Sequence, residues 1–159
     1  AIFGTVEVAK KYKIPVIADG GIRYSGDIVK ALAAGASSVM IGSLLACTEE
    51  SPGMTIIRNG RKYKISRGMA SLGANFSRKK AEGINDDFGL REYVAEGVEA
   101  LVPYRGNVKE ILNQMAGGLR SGMSYSGAKT IFDLWEKARF VQITMAGLKE
   151  SFPHDVEVM

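Results

Sequence analysis

Apolar positions recur along the chain in short blocks whose period changes from block to block. Over the first dozen residues Val6, Ala9 and Tyr12 fall at helical spacing with lysines on the other face, which predicts a helix end. Pro15 breaks that pattern, and Val16-Ile17-Ala18 forms a short apolar run closing on Asp19-Gly20-Gly21, as expected of a buried parallel strand. Ser25 is placed to cap a second helix, with Ile28, Val29, Leu32 and Ala33 facing inward and Gly35 as its stop. A second strand, Ser38 to Ile41, again ends in a glycine, Gly42. Helix, strand, helix, strand with short joints is βαβ architecture, and it predicts a parallel sheet or barrel.

From Pro52 the pattern changes. Thr55 to Ile57 and Lys62 to Ile65 flank Arg58-Asn59-Gly60-Arg61, and Asn-Gly between apolar runs predicts a hairpin. Residues 66–106 are rich in glycine and charge, with no sustained period, and read as a long loop, either functional or disordered. Helical spacing returns through Val108, Ile111, Leu112 and Met115, up to Gly118. A further helix is predicted from Gly127 to Ala138 with Ile131, Leu134 and Trp135 inward, and Phe140 to Thr144 reads as a terminal strand. Two βα units cannot cover both faces of their strands, so the pattern leads us to expect further strands upstream of Ala1, in line with the absent initiator Met.

Composition narrows the classes without choosing one. At 159 residues, 46% hydrophobic and 24% charged, the chain fits one globular domain. No apolar run approaches the roughly 20 residues of a membrane span, and no secretory signal is visible, so a cytoplasmic protein is expected. One cysteine, Cys47, excludes an internal disulfide framework, and one histidine, His154, leaves little room for a histidine triad or metal cluster. The net charge of +4 lies in short clusters such as Lys10 to Lys13 and Arg61 to Lys64. They do not join into one basic stripe interleaved with aromatics, which argues against nucleic acid and leaves room for a small anionic ligand.

Two segments carry chemistry: Ile17 to Arg23 and Met40 to Ser43, each a strand running straight into small residues. Glycine there lets backbone N–H groups approach an anion with no Cβ in the way. The residues after Gly42, Ser43 to Ala46, can form a helical turn aimed at the same place. Asp19 suits a ribose diol, because a carboxylate accepts two hydroxyl hydrogen bonds. A nucleoside monophosphate fits this set. The same glycines fit tight βα turns equally well on spacing alone.

The motifs themselves are more specific. Residues 14–36, IPVIADGGIRYSGDIVKALAAGA, resemble the strand-seven signature of the IMP dehydrogenase/GMP reductase family. Residues 39–46, VMIGSLLA, with Thr48 to Gly53, resemble its strand-eight segment. Arg67-Gly-Met-Ala-Ser71 is similar to its RGMGS motif, and Gly118 to Met123 and Glu150-Ser151 with Pro153 to Asp155 resemble its tail. The resemblance implies the C-terminal portion of a (β/α)8 TIM barrel: residues 1–50 are its last two βα units with the phosphate site, 51–106 a hairpin and mobile flap, and 107–159 closing helices and a tail. It places Asp19 on the ribose, Gly21, Gly42 and Ser43 on the 5′-phosphate, and Gly68 and Met69 on the purine. Glu96 falls at the base edge, with a part in proton relay. Glu150 and Ser151 would complete a potassium site in a neighbouring subunit, and the family assembles as a tetramer.

In this family a cysteine of the loop after strand six attacks purine C2 and hydride passes to or from a nicotinamide. Cys47 lies after strand eight, so it is read as a packing residue and the nucleophile as absent from the chain. Two departures bear on the reaction. Ser66 stands where a phosphate-binding tyrosine is expected, and can still donate one hydrogen bond. The flap, residues 75–93, lacks the Arg-Tyr pair with which dehydrogenases activate water; Arg78 and Arg91 lack the family spacing. The resemblance favours NAD-dependent oxidation of IMP to XMP in guanine nucleotide synthesis. Its alternatives are GMP reductase, using NADPH, and a catalytically silent nucleotide-binding fragment.

Overall fold

The computed structural model describes residues 1–69, 71–83 and 97–153, and the chain is a mixed α/β structure. A helix, α1 (Ile2–Lys11), leads through a tight turn to β1 (Ile17–Asp19), α2 (Ser25–Ala33), β2 (Ser38–Met40) and the single-turn helix α3 (Ser43–Ala46). β1 and β2 pair in parallel, with Ile17 opposite Ser38 and Asp19 opposite Met40. The βαβ reading therefore holds.

Helices cover one face of this pair. Ala18, Ile22, Ile28, Leu32, Ala36 and Leu134 pack into one core with Leu44, Cys47 and Ile111. The opposite face is open: Ile17 is 57% and Met40 51% exposed. Two βα units leave one face of their strands uncovered, as expected, while α2 packs against β2, α5 (Val108–Tyr125) and α6 (Ile131–Lys137).

The second part is an antiparallel sheet of β3 (Thr55–Arg58), β4 (Arg61–Arg67) and β5 (Glu99–Pro103), in that order. Asn59 and Gly60 join the first two, with φ of 51° and 73°. Both central residues at positive φ are what a two-residue hairpin with the right twist needs. The long loop expected over 66–106 is corrected at two places: α4 (Leu72–Ala81) and β5 lie within it. Ser71 caps α4, its hydroxyl accepting from the Ala74 amide at 3.2 Å. α5 runs seven residues past the predicted Gly118, to Tyr125, and α6 starts at Ile131 rather than Gly127. Residues 140–144 are not a strand. They lead into α7 (Met145–Glu150), which Thr144 caps by accepting from the Gly147 amide.

Candidate functional site

β1 and β2 end side by side, so the segments that leave them emerge at one edge of the sheet. Asp19 closes β1 abreast of Met40, and both are exposed. Gly20 and Gly21 follow with φ of 96° and 76°, conformations that side chains strain to adopt. A Cβ at Gly20, Gly21 or Gly42 would meet nothing within 4 Å, so all three border open space. Gly42 has an ordinary φ of −104° and precedes α3, whose first amides have no acceptor within the helix. Asp19, Gly20 and Gly21 line a cavity of about 490 Å³ together with Asp27 and Lys30.

Asp27 fixes the start of α2 beneath this edge. Its Oδ2 accepts the amides of Arg23 and Tyr24 at 3.0 and 3.1 Å, and its Oδ1 pairs with the Lys30 ammonium at 2.9 Å. The Lys30 ammonium, with the two amides behind it, holds the Asp27 carboxyl below its ordinary 3.8. Ser25 was expected to cap this helix; it is instead the first helical residue, and Asp27 does the capping from inside.

The hairpin supplies a second group. Ser66 sits half-buried on β4 opposite Ala100, in a cavity of about 630 Å³ shared with Ala46, Ser51 and Arg67. The Gly68 amide donates to the Val98 carbonyl at 2.9 Å. A Cβ on Gly68 would lie 3.3 Å from the Cα of Gly97, so glycine allows the two backbones to approach. Met69 is 94% exposed. Glu99 anchors this region, accepting the Gly73 amide at 2.8 Å and facing Arg67 at 3.8 Å. Glu96 and Arg91 lie outside the described residues, while Arg78 faces Glu82 along α4 at 4.0 Å.

Cys47 is 3% exposed and its thiol donates to the Leu44 carbonyl at 3.1 Å. Glu150 ends α7 and Ser151 follows it, exposed, with its hydroxyl donating to the Gly147 carbonyl at 2.9 Å. Among the described residues no group of three or more His, Cys, Asp or Glu side chains could hold a metal, and no helix is long and apolar enough to cross a membrane.

The structure thus brings Asp19, Gly20 and Gly21 to one cavity and Ser66 to another, with α3, which follows Gly42 and Ser43, ending at the second. One residue went unread in the sequence. Lys64, on β4, is 4% exposed, and its ammonium donates to the carbonyls of Ser51 at 2.7 Å and Glu49 at 3.3 Å. The available signal was its place two residues before Ser66, on the same face of the strand.

A family model for the IMP dehydrogenase / GMP reductase domain matches residues 1–154. An inosine-5′-monophosphate dehydrogenase of Aquifex aeolicus is 56% identical over 158 residues, covering 99% of this chain and 32% of that protein. One of Thermoplasma acidophilum is 57% identical, covering 100% and 32%. A GMP reductase of Leishmania donovani is 49% identical, covering 98% and 32%. A crystal structure of GMP reductase from Trypanosoma brucei, in complex with guanosine 5′-monophosphate, superposes with a TM-score of 0.87 at 48% identity, over 98% of this chain and 31% of that one. The chain spans about a third of the length of these relatives.

Proposed function

Because the chain belongs to the IMP dehydrogenase/GMP reductase domain family, we propose that it forms the nucleotide grip of a purine nucleotide oxidoreductase that converts IMP to XMP. One observation carries the reading: Asp19-Gly20-Gly21 and Gly42-Ser43 leave neighbouring parallel strands at one edge, with open space at each glycine. Ligands of open α/β sheets bind outside the carboxyl ends of the strands.

In this reading the Asp19 carboxylate accepts the ribose hydroxyls. The backbone of Gly21 and Gly42 and the hydroxyls of Ser43 and Ser66 donate to the 5′-phosphate. The Gly68 amide is already taken by Val98, so Gly68 offers the purine its carbonyl, and Met69 its backbone beside it. Glu96 accepts from the base edge and moves a proton there. NAD, when bound, accepts the hydride from the purine. Residues 1–50, 51–106 and 107–159 act as grip, hairpin with flap, and closing helices of a (β/α)8 barrel. The other strands and the nucleophilic cysteine come from a segment outside this chain, to which the open face of β1 and β2 is turned. The carboxylate of Glu150 and the oxygens of Ser151 are hard donors of the kind potassium takes, and such a site joins subunits of a tetramer.

GMP reductase is the second reading. It is favoured by the flap without an Arg-Tyr pair and by the close superposition on a GMP-bound reductase. Identities of 52–57% to dehydrogenases against 49% to reductases support the first. With the full-length protein, turnover is expected from IMP with NAD and not from GMP with NADPH. Turnover in the second assay alone replaces the first reading by the second, and turnover in neither removes the oxidoreductase. Asp19→Ala is expected to weaken IMP binding at least ~30-fold, the loss of about 2 kcal/mol of charge-assisted hydrogen bonding. Equilibrium dialysis with labelled IMP measures it, and unchanged affinity removes the ribose role.

A further inference from the structure

We propose that Lys64 is a positioning residue for the phosphate grip: it clamps the strand bearing Ser66 to the segment that follows Gly42 and Ser43, and so sets the spacing between them. The inference rests on the nucleotide reading above.

Lysine side chains ordinarily run their stems along a protein surface and keep the ammonium in water. Lys64 does not: it is 4% exposed, and its ammonium ends on the carbonyls of Ser51 and Glu49. Among the described residues it makes no ion pair. A buried ammonium gains less than an apolar side chain of the same length would by packing, since it must shed its water. What Lys64 provides, and a methionine would not, is a directional tie between two backbones.

The segment so tied is fixed from other sides too. The Cys47 carbonyl accepts the Arg105 amide at 2.9 Å, and the Glu49 amide donates to the Gly106 carbonyl at 2.8 Å. The Glu50 carboxylate accepts the Val108 amide at 2.9 Å, at the start of α5. Toward the grip, the buried Thr48 hydroxyl donates to the Leu45 carbonyl at 2.7 Å, which makes residues 47–51 continuous with α3. A shift of the Glu49–Ser51 carbonyls is therefore a shift of α3, and with it of Gly42 and Ser43. On the other side of the clamp, Lys64 and Ser66 share one face of β4. Ala46, Ser51 and Ser66 line one cavity, so both ends of the clamp border the same space.

The experiment compares IMP with inosine, which lacks the phosphate, by competition binding to the full-length protein. The ratio of the two affinities reads the phosphate contribution alone. Lys64→Met is expected to lower that ratio about tenfold while inosine affinity stays within about twofold, with Lys64→Arg recovering part of the loss. A ratio equal to wild type, or an equal loss for both ligands, overturns the proposal, since a general loss of structure moves both ligands together. Should Lys64→Met not fold, Glu50→Ala at an exposed position loosens the same segment from the α5 side. It is expected to lower the ratio in the same direction by a smaller factor, and an unchanged ratio then overturns the proposal. If wild type itself binds inosine as tightly as IMP, the phosphate grip falls, and this inference with it.

Discussion

Asp27 and Asp133 do the same work at two helix starts. Each sits at the third helical position and reaches back to two amides: those of Arg23 and Tyr24 for Asp27, and those of Lys129 and Thr130 for Asp133. Sequence reading put the cap of α2 at Ser25, because serine is a strong capping residue and tyrosine is not. The part played by Asp27, which accepts those amides from the third helical position, was left unread. Asp27→Asn removes the Lys30 pair and one charged acceptor, and is expected to destabilise the fold by about 1 kcal/mol at pH 7. The Asp27 carboxyl is depressed in the folded chain, so its contribution is full above the ordinary 3.8 and fades as pH falls toward the lower folded value. Urea titrations at pH 7 and near pH 3 check the sign: the gap between variant and wild type should shrink in acid, and a constant gap would refute it. The position of Asp19, Gly21, Gly42 and Ser43 at the ends of β1 and β2 was legible, because strand ends and glycines mark themselves. Lys64 was not, because a lysine in a basic cluster reads as surface until its burial is known.

At the scale of elements, the crossing of α5 over α2 depends on two glycines a turn apart. A Cβ on Gly118 would overlap the Ser25 side chain, and one on Gly122 would lie 2.5 Å from a methyl of Val29. Gly122→Ala sets two effects against each other. Alanine gains up to about 1 kcal/mol of helix propensity, while overpacking a helix contact costs about 1–3 kcal/mol. Val29 is β-branched and held to one rotamer in a helix, so it cannot swing away and the second effect wins. Calorimetry should show a lower melting temperature for Gly122→Ala, and a higher one would mean that α2 yields. The missed elements have physical reasons as well. α4 has little apolar periodicity and is held by its Ser71 cap and by Arg78, Lys79 and Lys80 in its last turn. β5 ends in Pro103, tolerable at the edge of a sheet. Phe140, Val141, Ile143 and Thr144 have strand-forming side chains, but no described strand lies alongside to pair with them.

For the molecule as a whole, the order of apolar blocks was enough to give the parallel pair, the hairpin and most helices. It did not reveal that the two sheets share no strand. They meet through residues 47–51, where contacts to β4, to residues 105–106 and to the start of α5 converge. The one thiol of the 159 residues, Cys47, lies at that junction and is only 3% exposed. A thiol reacts only where reagent reaches it. Alkylation of Cys47 therefore has to wait for the junction to part, and its rate times how often the two sheets come away from one another.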